Sequence, residues 1–144
     1  MQAPIDLNAL VAAIGDAVVV SDREGKISVW NPAAERLFGF TEAEALGQSM
    51  DIIIPQRLRA RHWEGFDKSM QTGTTRYAHD VLRVPAVDKA GQALSIAFTV
   101  GLLHDAQGRI SAIAAVIRDE TARFGEDRAL RKRVAELEAQ LEKG

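Results

Sequence analysis

WNPAAERLFG, Trp30–Gly39, carries the clearest local instructions in the chain. Asn31 is a residue type that caps free helix N–H groups, Pro32 fits the first helical position, and Gly39 supplies the stop. A short helix held between two fixed ends follows. Just downstream, Thr41 and Glu44 of Thr41-Glu-Ala-Glu44 form a capping box for a second short helix, which Gly47 ends. The middle of the chain is therefore a set of brief helices separated by tight stops.

Working outward, Ala17–Ser21 (AVVVS) is a continuous β-branched run, the mark of a buried strand. Lys26–Asn31 alternates as a second strand, and Asp22-Arg-Glu-Gly25 joins the two as a hairpin. Before them, Leu7, Leu10, Val11 and Ile14 recur at helical spacing, and Gly15 stops that helix. In the second half the period returns to two. Arg76–Val84 reads as a strand halted at Pro85. Ala93–Leu103 alternates, with Leu94, Ile96, Phe98, Val100 and Leu102 on one face, and Ile110–Ile117 is the last strand. Five strands with helices inserted after the second predict an α+β domain on an antiparallel sheet, with the short helices on one face.

From Asp119 the texture changes again. Leu130, Val134, Leu137 and Leu141 are spaced as a coiled-coil seam. Residues 118–144 hold seven Lys/Arg and seven Asp/Glu, so their charges form a solvated face and no basic patch for nucleic acid. A helix of about 20 residues with few core contacts is marginal alone, which predicts pairing with a second copy. The expected division is a flanking helix over 1–15, a globular domain over 16–119 and a coiled-coil linker helix over 120–144.

Composition narrows the function. The 144 residues suit one domain, and 47% hydrophobic with 26% charged residues is ordinary for a globular protein. A net charge of -2 gives no general attraction to nucleic acid or anionic membrane. With no run approaching a membrane span and no signal pattern at the start, the expected location is the cytoplasm. The absence of cysteine removes disulfides, thiolate metal sites, cysteine nucleophiles and thiol-linked cofactors. Ser69, Ser111 and the carboxylates form no visible nucleophile–base set, and no Gly-rich phosphate loop is present, so an enzyme is not expected.

One stretch carries candidate chemistry. In Pro55–Gly73, a helix over Gln56–Thr72 sets Leu58, His62, Phe66 and Met70 on one stripe. From spacing alone the plain reading of His62 is a packed or half-exposed histidine. The sharper reading is a nitrogen ligand on an apolar face with cations at its edge, which suits a flat apolar cofactor bearing carboxylates, such as haem. His79 reads as a propionate partner or surface residue before a second axial ligand, and His104 as solvated beside Asp105. No two of the three histidines have helical metal-ligand spacing, against a zinc site.

The order of elements resembles a PAS sensory domain over roughly residues 6 to 122. Trp30–Gly39 is similar to the family's segment after its second strand, Thr41–Gly47 (TEAEALG) to the next capped turn, and Arg118-Asp119-Glu120-Thr121 to its link into an output helix. Pro55-Gln-Arg-Leu-Arg59-Ala-Arg61-His62 further resembles the haem-binding PAS domain of rhizobial oxygen-sensing histidine kinases. That resemblance implies haem b with His62 as proximal iron ligand, Lys68 and Arg76 pairing with the propionates, and Phe98 and Val100 as an apolar wall above a bound gas. It departs at Leu82, which stands where the family has an oxygen-binding arginine. Arg83 is next to it, and a strand slip of one residue would exchange the two faces. Carbon monoxide, nitric oxide or redox sensing suits an apolar pocket as well as oxygen does. The expected function is a sensory input module that dimerises through its flanking helices and signals through the C-terminal coiled coil to an effector domain or kinase. A flavin- or metabolite-sensing PAS domain, or a cofactor-free dimerisation module, is the alternative.

Overall fold

The β-branched run Val18-Val19-Val20 lies in strand β1 (Ala17–Asp22), one place from the edge of a five-stranded antiparallel sheet ordered β2-β1-β5-β4-β3. The other strands are β2 (Ile27–Trp30), β3 (Leu82–Val87), β4 (Ala93–His104) and β5 (Ile110–Asp119). Helix α1 (Leu7–Ala13) precedes the sheet. Helices α2 (Pro32–Phe38), α3 (Glu42–Ala45) and α4 (Arg59–Thr72) fall between β2 and β3, and α5 (Thr121–Lys143) follows β5. The computed structural model describes residues 4–143, apart from the side chain of Arg76.

Register decides which side chains share a face, because residues directly opposite in an antiparallel pair lie on the same side. Leu82 stands opposite Phe98, Phe98 opposite Ile117, and Ile117 opposite Ala17. Val100, Ala115, Val19 and Trp30 form the next row. The core gathers on this face: Trp30, Phe38, Ala34, Ile53, Ile96 and Ile117 are buried together, and Phe98 packs against them. Trp30 is fully enclosed because its indole N–H donates to the carbonyl of Phe40, 2.9 Å away.

Two expectations change. The third strand begins at Leu82, not Arg76, and it runs through Pro85 to Val87 where a stop was expected. Arg76–Ala78 forms a 3-10 turn instead, with the Thr75 hydroxyl accepting from the Tyr77 N–H. Proline is tolerated because β3 is the sheet's edge, where a missing N–H on the open side removes no ladder bond. The helix expected from Gln56 opens as a 3-10 turn over Gln56–Leu58 and becomes α-helical at Arg59. Pro55 offers no side-chain cap there. Arg59 anchors the start from within, donating to the carbonyls of Ile54 at 3.1 Å and Asp51 at 3.3 Å.

Asn31 does more than cap α2. Its Oδ1 accepts from Ala34 N–H at 3.0 Å and from Val18 N–H at 2.9 Å, so it also pins the start of β1. Its Nδ2 donates to the carbonyls of Val11 and Asp16, which fixes the end of α1 and its link to β1. The residue is 3% exposed, so these groups have no water to fall back on. Asn31→Ala removes a helix cap, about 0.5–2 kcal/mol, and strands a buried N–H, about 1–3 kcal/mol. The expected loss is about 2–4 kcal/mol in urea unfolding with an unchanged m-value. A loss below about 0.5 kcal/mol would contradict the bridging role.

Candidate functional site

The predicted stripe is buried or half-buried along α4, with Leu58 in the turn that precedes it. Phe66 is buried, and Leu58, His62 and Met70 are half-buried, while Arg57, Arg61 and Lys68 are exposed. His62 belongs to a small aromatic group: its ring centroid lies 4.7 Å from Trp63 and 6.4 Å from Phe66, and Trp63 lies 5.1 Å from Phe66.

Trp63 is the residue whose role was hidden from sequence reasoning. Its indole N–H donates to Asp51 Oδ1 at 2.8 Å. Its ring sits on Gly25 in the β1–β2 turn, where any Cβ would run into ring carbons. Gly25 also has φ +78°, so that position demands glycine twice over. Asp51 therefore holds α4 in two ways, through its carboxylate to Trp63 and its carbonyl to Arg59. The only signals were the Asp51-Ile-Ile-Ile54 segment and a tryptophan beside a histidine; their pairing needed the fold.

The Nδ1 atom of His62 is buried and has no hydrogen-bond partner among the described residues. Burial lowers the His62 pKa below its ordinary value of 6.5, and the nearby Asp51 carboxylate offsets part of that shift. The ring is thus biased towards its neutral form, which keeps a lone pair free for a donor or a metal. An unpaired buried polar atom costs about 1–3 kcal/mol, so something that engages it would be stabilised there.

The remaining predicted residues lie on the sheet or at its approach. Leu82, Phe98 and Val100 are half-buried and share the inner face. Arg83 stands opposite Ala97 on the other face and is exposed, so the one-residue slip does not occur. Lys68 is exposed on α4, and the side chain of Arg76 lies outside the described residues. His79 and His104 are both exposed. Two shallow hollows lie elsewhere. One of about 300 Å³ is lined by residues including Glu35, Arg36 and Phe40, and one of about 250 Å³ by residues including Asp16, Leu37 and Asp119. His62 lines neither. Among the described residues there is no cluster of three or more metal-ligating His, Asp or Glu side chains, and no helix long and apolar enough to cross a membrane.

A family model described as the PAS fold matches residues 5–119. The chain belongs to the PAS family. An uncharacterised protein of Azorhizobium caulinodans is 35% identical over 118 residues, which is 81% of this chain and 16% of that protein. The sensor protein FixL of Bradyrhizobium diazoefficiens is 45% identical over 56 residues, 39% of this chain and 11% of FixL. The oxygen sensor protein DosP of Escherichia coli is 25% identical over 116 residues, 81% of this chain and 14% of DosP. The PAS domain thus spans less than a fifth of the length of these relatives. Among solved structures, a PAS domain from Colwellia psychrerythraea superposes with a TM-score of 0.71 at 18% identity, covering 81% of this chain and 95% of that one. An RNA-binding light-oxygen-voltage receptor gives 0.71 at 19% identity, over 93% and 41%. As a PAS domain the chain is a sensory signal-input module.

The donor set of this PAS domain has chemistry that a haem would use, and His62 lines neither hollow described above. The set offers a buried imidazole biased neutral with an unengaged nitrogen, an apolar inner sheet face and an exposed ammonium on the same helix.

The depressed His62 pKa also fixes a pH dependence. The unfolded chain binds a proton near pH 6.5, whereas the folded chain resists it to lower pH. Stability attributable to His62 is therefore complete above the unfolded value and falls as pH drops from it towards the folded value. His62→Gln should flatten this part of the stability–pH curve, measured by urea unfolding between pH 8 and pH 5 (roughly the window in which histidine titrates). An unchanged slope would show that the histidine is not held neutral.

Proposed function

We propose that this PAS domain is a non-catalytic input module that holds haem b through His62 and senses a diatomic gas or redox state. The observation that carries the reading is the buried, unpartnered Nδ1 of His62 beside Trp63 and Phe66. The similarity to FixL and to DosP, an oxygen sensor by name, supports it. Bound haem supplies an iron centre able to take diatomic ligands and to change oxidation state.

The chain's own residues would divide the remaining work. His62 provides the ligand nitrogen, with α4 held in place by Trp63 and Asp51. Lys68, and Arg76 with it, would pair with the propionates. Leu82, Phe98 and Val100, on one sheet face, would form an apolar wall that excludes water from a bound gas. Leu82 donates no hydrogen bond and Arg83 faces away, so carbon monoxide, nitric oxide or a redox change suits this face as well as oxygen does.

The route out begins on β4. Phe98 lies three residues from Ser95, about 10 Å along the strand. Ser95 N–H donates to Thr121 Oγ1 at 3.0 Å, and its carbonyl accepts from Glu120 N–H at 2.7 Å. Asp119 Oδ1 accepts from Thr121 N–H at 2.9 Å. The first turn of α5 is thereby tied to the strand that carries the wall. A shift at Phe98 or Val100 would bias the packing of α5 in a homodimer joined through the flanking helices, and so a downstream effector domain or kinase in the cytoplasm.

A second reading, a cofactor-free dimerisation module, is favoured by the position of the hollows away from His62. Reconstitution with hemin separates the two, and a flavin-binding alternative shows its own absorption in the blue. Wild type should give a shifted Soret band saturating near one equivalent, and His62→Ala should lose that shift. Unchanged titration in the variant removes the ligand assignment, and no Soret shift in wild type leaves the empty module. In the same haem-loaded protein spin-labelled at Ala139, carbon monoxide should change the distance between the labels in the dimer. An unchanged distance removes the transmission step.

A further inference from the structure

Helix α5 buries nothing, yet it carries an apolar line: Leu130, Val134, Leu137 and Leu141 are 63%, 46%, 43% and 81% exposed. Their spacing puts Val134 and Leu141 at heptad a, and Leu130 and Leu137 at d. The positions that flank such a seam are then Glu126 and Arg133 at g, and Arg131 and Glu138 at e, all four of them exposed. These flanking charges carry information about orientation as well as about association.

In a parallel, in-register pair, each g position meets the e position five residues further along the other helix. Glu126 would meet Arg131 of the second copy, and Arg133 would meet Glu138 of the second copy. Symmetry doubles each, so all four flanking contacts join opposite charges and none joins like charges. An antiparallel pair packs Val134 on Leu137 and Leu130 on Leu141, and brings e to e and g to g. Arg131 would then meet Glu138 twice, while Arg133 would face the neutral Gln140. The parallel arrangement thus has twice as many attractive contacts.

The seam also has a defined beginning. One heptad earlier the same register places Asp127 at a and Arg123 at d, so the apolar contact starts at Leu130. In the single chain Arg133 turns to Glu136 at 3.4 Å, an exposed pair within one helix that yields readily to a better partner.

We infer that a second copy of this chain docks on the Leu130–Leu141 face in parallel and in register, specified by Glu126–Arg131 and Arg133–Glu138 pairs between the copies. The inference rests on the homodimer reading above and adds its orientation, register and starting point. Both PAS domains then sit at one end of a shared rod, and Thr121 through Ala129 forms the unzipped segment between them and the seam.

The chain has no cysteine, so single cysteines report cleanly. In the full chain, Val134→Cys should form a disulfide dimer under mild oxidation, and Ala139→Cys on the outer face should not. Adding Arg133→Glu sets like charges opposite Glu138 and should lower the Val134→Cys cross-link about fivefold or more, for two pairs of surface strength. Adding Glu138→Arg as well exchanges the charges and should restore the cross-link. In an antiparallel dimer the same exchange would leave Arg131 facing a second cation, and the cross-link would stay low. Cross-linking that requires mixing Val134→Cys with Leu137→Cys chains overturns the orientation while leaving dimerisation intact. A monomer at all concentrations in sedimentation equilibrium overturns the dimer reading itself, and this inference with it.

Discussion

One buried amide organises the first third of this domain. Asn31 accepts from β1 and α2 and donates to the end of α1 and to Asp16, so three elements meet on one side chain. Neither leucine nor aspartate could take its place: the first has no polar atoms and the second has no donors. Trp30, its neighbour, then closes the core by handing its N–H to Phe40. The sheet's inner face is positioned by this corner.

The second constraint is the seat of α4. Trp63 settles on a glycine that has no Cβ to spare and donates to Asp51, whose backbone also receives Arg59. This fixes the rotation of a helix that otherwise buries one residue fully, Phe66. His62 is the position just before Trp63, half-buried with one nitrogen unengaged. A structural histidine in such a place would ordinarily be satisfied by a carbonyl or a carboxylate. The Asp51 carboxylate offsets part of the downward shift that burial imposes on the ring's pKa, and its Oδ1 is engaged with Trp63.

Much of this was legible in the chain because its signals were local. Caps and stops at Asn31, Gly39, Thr41 and Glu44 name their own partners within a few residues, and all of them form as read. Alternation in Ala93–Leu103 marks β4 and the shared face of Phe98 and Val100 in the same way. What escaped depends on distance along the chain. Arg76–Val81 alternates weakly enough to imitate a strand, and only the edge position of β3 shows why Pro85 is admitted and where pairing starts. The contacts of Trp63 with Asp51 and with Gly25 cross 12 and 38 positions, and no periodicity could announce them. Leu82 and Arg83 lie between these cases: the sequence posed two registers, and pairing with Phe98 chose one.

Ligation through His62 is what separates a haem sensor from an empty scaffold. It is tested most directly by pulsed electron paramagnetic resonance of the hemin-reconstituted ferric domain carrying ¹⁵N-histidine. With His79→Gln and His104→Gln in the background, both surface positions, His62 is the sole labelled residue. A ¹⁵N hyperfine coupling to the iron is the expected result. Bound haem without that coupling would contradict the assignment.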